Sequence, residues 1–336
     1  MKPKLKPTNV RFVDRLLGGG TKPVSINGIL SPTGVGKSML ACMIAADSAT
    51  GGSVFDEAAT RPAGLWVWFD FHNQGGLCRE RVLSHVARIS RAQAWQEDPK
   101  AEGYESAYME TLPQIDGQVV PATERRQRAT ECINHQLQLI AQDPDGIPVL
   151  ELATPAGIAM KLHWLSQQRP IEGVVIDGVP DIWHEFSDAT GLSEREFLQR
   201  FVEKDCRMMA EHFQCPVWVT HQISGAASGR LPAAAISHRD AADCKTFANS
   251  LDACLVMGTA SDPDDVFSIR CTKGDPKVVS RERILLKHDN VFSSIVEAKD
   301  FVEDRKNKTW KKVPGLKPLL DDSDKNHIED QLKQVR

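Results

Sequence analysis

Apolar residues recur along the chain in short β-branched runs that alternate with longer stretches of helical period. Residues 24–30 (VSINGIL) form the first run and lead straight into a glycine-rich turn, after which 37–49 (KSMLACMIAADSA) has strong helix-forming composition. Residues 65–71 (LWVWFDF) read as a second strand, and a helix is expected over 77–91 with Leu77, Val82, Leu83, Val86 and Ala87 on one side. Then come a helix over 124–141, a strand over 147–152, a helix over 155–168 and a strand over 173–177 (GVVID). A long amphipathic helix over 192–213 and a strand over 216–220 (PVWVT) come next. Further strands near 252–257, 264–271 and 280–286 are joined by short turns and are expected to be antiparallel. Alternating strands and helices make an α/β fold, with a mostly parallel central sheet flanked by helices on both faces.

Two long stretches carry no period. Residues 92–123, with Pro99, Gly103, Pro113, Gly117 and Pro121, read as a polar insertion. Residues 221–243 are rich in Ala, Ser, Gly and His, and a structureless segment of that length points to function more than to connection. No internal repeat is present.

Composition adds bounds. At 41% hydrophobic residues, the 336-residue chain can bury one substantial core, and no second core is evident. No run of 18 uncharged apolar residues occurs, so no membrane-spanning helix is expected, and MKPKLKPTNVRF has no apolar stretch of signal-peptide type. Against 41 Lys+Arg stand 45 Asp+Glu, a net charge of −4, which excludes a cationic coat but not a basic groove. Bases gather at 1–22, expected to be an N-terminal arm, and at 305–317 around Trp310. The core is thus placed at 23–300, and 301–336 is expected to be a charged, flexible tail. Of the eight cysteines no two form a CxxC pair, the usage of a reduced, intracellular protein without a zinc site.

The strongest chemical signal is Ser31-Pro32-Thr33-Gly34-Val35-Gly36-Lys37-Ser38, followed by Met39. It fits the phosphate-loop pattern G-x-x-x-x-G-K-[ST] except for serine at its first position, and it lies between a strand and a helix, as that chemistry requires. Gly34 and Gly36 let successive backbone N–H groups converge on phosphates, and the helix start adds its own unpaired N–H groups. Lys37 would reach the β- and γ-phosphates and Ser38 would hold Mg2+. Asp177, ending the strand 173–177, is the candidate second carboxylate for the metal's water shell.

Together these segments resemble the RecA-like P-loop ATPase superfamily, and within it the hexameric branch of DnaB-type and plasmid replicative helicases. The resemblance is carried by FVDRLLGGG (12–20), SPTGVGKSMLA (31–41), WVWFDFHN (66–73), GVVIDG (173–178), VWVTHQIS (217–224) and SLDACLVMG (250–258), in that order over about residues 10–290. Several plasmid helicases are similar in opening the loop with serine. The resemblance implies ATP and Mg2+ as cofactors and self-association into a ring, a hexamer by expectation, or a filament. It also implies single-stranded DNA as partner, in the cytoplasm of a bacterial, plasmid or phage replication system.

It implies roles for individual residues as well. Gln222, with His221 beside it and Thr220 just before, matches a polar sensor of the γ-phosphate. Segments at about 180–191 and 223–243 correspond to loops facing a central channel, and Arg230, His238, Arg239 and Lys245 are the cations implied to hold DNA. Lys273 and then Arg270, in SIRCTKG (268–274), fall where the family places cations that reach a neighbour's γ-phosphate, although its lysine-x-arginine spacing is absent.

One position departs from the pattern. Relatives carry a glutamate that polarises the attacking water just past the second strand, and here His72 stands there, with Asp70 two residues earlier. Strand alternation puts 70 and 72 on one face. Asp70 as base and neutral His72 as the group that holds water are both open. Three functions are compatible with this sequence: an ATP-driven helicase or translocase, a core-only recombinase or filament ATPase, and a nucleotide-dependent switch or scaffold with weak hydrolysis.

Overall fold

A computed structural model describes residues 4–56, 59, 62–95, 112–115, 118–142, 152–180, 182, 191–223, 236–241, 247–259, 266–276, 279–280, 282–298, 301–304 and 309–312. Its strands, in chain order, are β1 (Ser25–Ser31), β2 (Leu65–Gln74), β3 (Gln114–Ile115), β4 (Gln118–Val119), β5 (Leu137–Gln142), β6 (Ile171–Asp177) and β7 (Pro216–Gln222). The later ones are β8 (Ala253–Thr259), β9 (Val266–Lys273), β10 (Arg283–Asp289), β11 (Ser294–Glu297), β12 (Phe301–Asp304) and β13 (Thr309–Lys312). The helices are α1 (Arg11–Leu16), α2 (Lys37–Thr50), α3 (Gly75–Ala87), α4 (Arg91–Trp95), α5 (Ala122–Gln136), α6 (Pro155–Ser166), α7 (Glu194–Arg200) and α8 (Arg207–Phe213).

Nine strands form one sheet in the order β11-β10-β9-β8-β1-β7-β6-β2-β5. From β8 to β5 every neighbouring pair is parallel, and β9, β10 and β11 extend the β8 edge antiparallel. The mostly parallel sheet and the antiparallel late strands match the sequence reading. All seven residues of β1 are buried, as a central parallel strand covered on both faces must be.

One layer packs α1, α2, α3 and α5 on the sheet through Phe12, Leu16, Leu40, Ile44, Val82 and Ile133. The other packs α6, α7, α8 and the 3-10 turn Phe247–Ser250 through Ile158, Leu162, Phe197, Met209 and Phe247. Among the described residues no helix is long and apolar enough to cross a membrane. The segment expected as a basic arm lies against the first layer: Phe12, Val13, Leu16 and Leu17 are buried, and Lys6 bridges to Thr21. The Asp14 carboxylate fastens it by accepting from Thr8 N, Thr8 Oγ1 and Asn9 N at 2.8, 2.8 and 2.9 Å.

Two expectations are corrected. The helix expected to run to 141 stops at Gln136, and Leu137–Gln142 is the edge strand β5. LQLIAQ opens with apolar–polar alternation, and pairing with β2 outweighs its helical composition. Of the strand expected over 147–152, all but Leu152 lies outside the described residues, and Leu152 is not in a strand. In the expected flexible tail, β12 and β13 pair as an antiparallel hairpin.

Helix α6 starts on Thr154, whose Oγ1 accepts from Gly157 N at 2.9 Å, with Pro155 at the first helical position. Thr154→Ala is expected to cost about 1 kcal/mol in chemical denaturation, and an unchanged midpoint would remove the cap from the account. Helices α7 and α8 are two parts of one rod joined by the π-helical turn Phe201–Cys206. Its buried positions run Leu198, Phe201, Val202, then Cys206, Met209 and Ala210. A strict α period from Leu198 brings 205 and 208 inward; the wide turn shifts the frame by one residue, leaving Asp205 half-buried and Met208 57% exposed.

Candidate nucleotide site

The buried run of β1 ends at Ser31, whose carbonyl accepts from Ile223 N at 3.1 Å and whose register partner is Gln222 on β7. The chain then turns through Gly34 (φ 82°) and Gly36 (φ 94°), left-handed conformations that L side chains resist. Gly36 is the N-cap of α2 and supplies no side chain to its first-turn N–H groups, so a 14-residue helix presents its positive end at this turn. Thr33 and Gly34 are exposed; Pro32, Lys37, Ser38 and Met39 are half-buried, and Val35 is anchored in the first layer. Thr33 Oγ1 lies 3.5 Å from Gln222 Oε1, which brings the expected sensor to the loop. Behind the loop stands His288 of β10, its ring against Phe267 at 4.8 Å between centroids. A Cβ added to Gly36 would meet His288 Cε1 at 2.6 Å, whereas one on Gly34 would meet nothing within 4 Å.

Two carboxylates end adjacent strands beside the loop. Asp70 on β2 and Asp177 on β6 are register partners, and both are buried. Asp177 Oδ1 accepts from the Thr220 hydroxyl, while its buried Oδ2 has no hydrogen-bond partner among the described residues. Asp70 is differently placed. Its Oδ1 accepts from His72 N at 3.0 Å and Asn73 N at 2.9 Å, and its Oδ2 accepts from Asn73 Nδ2 at 2.9 Å and Cys78 Sγ at 3.1 Å. Burial, and then the Asp177 charge, push the Asp70 carboxyl up to about 6 against the pull of those hydrogen bonds.

The alternation that sets 70 and 72 on one face does not survive this turn. Asp70 gathers the next backbone N–H groups as an Asx-type turn does, β2 shifts register on β5 between Asp70 and Gln74, and His72 emerges exposed. Asp70 thus has both oxygens occupied, and His72 is the solvent-facing member of the pair.

The cations beyond β8 are held within the chain. A register slip between Cys254 and Leu255, opposite Lys273 and Cys271, accompanies a change of facing, and Lys273 ends on the side of the second layer. Lys273 Nζ donates to Ala248 O at 3.0 Å and to Asn249 O, closing the 3-10 turn, and Arg270 Nη2 donates to Ile236 O. Burial lowers the pKa of both. His238 and exposed Arg239 sit on the 3-10 turn His238–Asp240, where a Ser237–Asp240 capping box fixes the chain, and Ala241 bridges back to Ile223 beside the loop. Burial, then Lys273, lower the His238 pKa. Arg230 and Lys245 lie outside the described residues. Cys78, Asn73 and His288 touch the site without any signal in the sequence that assigns them a role; Thr220, beside Gln222, has a positional one.

Solved structures share this architecture. The ATPase domain of one DnaB-like replicative helicase superposes with a TM-score of 0.61 at 12% identity, over 87% of this chain and 91% of that one. A second DnaB-like replicative helicase, solved for its interactions with primase, gives a TM-score of 0.61 at 12% identity, over 88% of this chain and 63% of that one. At that identity the likeness is one of fold, and the fold is that of DnaB-like helicase ATPase domains. No protein-family model and no curated protein matches the sequence.

Proposed function

We propose that the protein is an ATP-dependent motor acting on single-stranded DNA as an oligomer, a helicase or helicase-like translocase. The observation that carries the reading is the convergence, at one edge of a sheet with this fold, of the glycine loop, the uncapped start of α2, Gln222 and the buried, unpartnered oxygen of Asp177. The donor set fits magnesium and a triphosphate. A lone buried carboxylate oxygen beside a serine suits a hard cation that uses few protein ligands, and the open space at Gly34 leaves the backbone free to approach phosphate. Ser38 and Asp177 would hold the metal, Lys37 and the loop amides the phosphates; when bound, Mg2+ supplies charge neutralisation for phosphoryl transfer.

The chain's own residues orient the metal carboxylate and relay the state of the site. Thr220 orients Asp177 by donating to its Oδ1. Gln222 links the nucleotide to the segment beyond β7: Ile223 pairs with Ala241, next to His238 and Arg239, so a shift of Gln222 reaches the cations proposed to hold DNA. A switch with weak hydrolysis is the second reading, and the full occupancy of Asp70 favours it, since both oxygens of the candidate base are already engaged.

Steady-state ATP hydrolysis with and without single-stranded DNA, with Lys37→Ala as the blank, separates the two. Several-fold stimulation by DNA that the blank lacks is the motor's signature. Tight nucleotide binding with turnover at the blank's level in both conditions would sink the motor and leave the switch.

A further inference from the structure

Two arginines face each other across the antiparallel edge of the sheet: Arg270 on β9 is the register partner of Arg283 on β10. Directly opposed residues in such a pair share one face at close range, and like charges there are destabilising. Both are half-buried, so water screens the repulsion only in part. The pKa of Arg270 is lowered by burial and, next, by Arg283. Arg270 spends Nη2 on Ile236 O, and its buried Nε has no hydrogen-bond partner among the described residues.

The acids around the pair are already engaged. Asp240 faces Arg270 but accepts from Ser237 N at 2.8 Å and Ser237 Oγ at 3.1 Å. Asp252 pairs with Arg207 at 2.9 Å, and Glu282 with Arg15 at 3.2 Å. Lys273 and His238 add further cationic or titratable groups alongside. The result is a local excess of positive charge on a chain whose total is −4.

The pair is also turned away from its own phosphate loop. Phe267 and Ile269 pack into the layer of α2, whereas Arg270 reaches Ile236 in the opposite layer, so the sheet stands between them. Paired guanidinium forks match the oxygens of a phosphate in a way that ammonium groups do not. We propose that Arg283 joins Arg270 as a two-arginine receiver for the terminal phosphate of a nucleotide held by the loop of a second copy of this chain. The proposal rests on the ATPase reading. It makes Lys273, whose donors close a backbone turn, a positioning residue.

The test mixes subunits below the concentration at which they assemble. Arg283→Gln is expected to lower turnover roughly 100-fold, with Arg283→Lys little better because the fork is lost. Relief of the cross-strand repulsion should leave its melting temperature equal to wild type or higher, so the loss is not one of folding. Mixing Arg283→Gln with Lys37→Ala should restore turnover above either alone, since the second variant lends an intact arginine pair to the intact loop of the first.

Wild-type turnover by Arg283→Gln overturns the proposal, and so does a slow variant that mixing never rescues. Normal basal turnover with weakened, less salt-dependent DNA binding would assign the pair to nucleic-acid phosphates instead. Should wild-type protein bind ATP without turning it over, the ATPase reading fails, and the receiver is judged by ATP-dependent assembly in light scattering. Assembly lost in Arg283→Gln upholds it; assembly like wild type overturns it.

Discussion

Asp177→Asn is expected to stabilise the protein while removing its magnesium-dependent turnover. Asp70 and Asp177 are buried register partners, and the Asp70 carboxyl titrates near 6 instead of its ordinary 3.8. A carboxyl raised in this way holds, in the fold, a proton that the unfolded chain has already lost. Its contribution is therefore present at low pH and lost as pH rises from about 4 to about 6, a swing of about 3 kcal/mol over that window. Asparagine at 177 keeps an oxygen for the Thr220 hydroxyl but removes the charge facing Asp70, and part of that loss disappears. Thermal melts from pH 4.5 to 7.5, without nucleotide or metal, should show a flatter profile and a gain of about 1 kcal/mol at pH 7. Turnover should fall at least about 100-fold, because the one buried oxygen left open beside the loop is the carboxylate's. A variant that is less stable and fully active would show that Asp177 is a structural acid only.

Gly36→Ala is expected to damage the loop more than Gly34→Ala, although both glycines have positive φ. An alanine in the left-handed region costs about 1–2 kcal/mol at either position. At Gly36 the new methyl also runs into His288 Cε1 at 2.6 Å and Ile295 Cδ1 at 3.4 Å, an overpacking that adds about 1–3 kcal/mol. At Gly34 it enters open space. Denaturant midpoints of the two variants give the difference directly. Adding His288→Ala to Gly36→Ala should recover the packing part and leave the backbone strain. Equal midpoints for the two single variants would mean that His288 does not wedge the loop from behind.

The core of this fold is legible in the sequence because its central strands are continuous apolar runs and each ends in punctuation. VSINGIL runs into Gly34 and Gly36, GVVID into Gly178, and VWVT into Gln222, and parallel pairing of these strands brings their ends to one edge. The features that escape depend on register, which no single segment encodes. The edge strand LQLIAQ continues from a helix with no intervening turn and reads as more helix. Asp70 shares a face with His72 by alternation alone, but its hydrogen bonds to the backbone after it bend the strand away. Lys273 changes facing at a slip in the β8–β9 pairing, and Arg283 meets Arg270 only through the β9–β10 register. Each depends on long-range pairing, invisible to periodicity.

The π turn at Phe201–Cys206 gives the rod from Glu194 to Phe213 one residue more than its buried stripe needs. With Asp205 removed, Leu198, Phe201, Val202, Cys206, Met209 and Ala210 fall into unbroken α-helical spacing, and the wide turn can close without re-phasing either half. The same deletion inside α8, before Met209, would swing that side chain and Ala210 about 100° off the core. Along this rod, then, chain length is negotiable at one point, and a shortened relative would be expected to have lost its residue there.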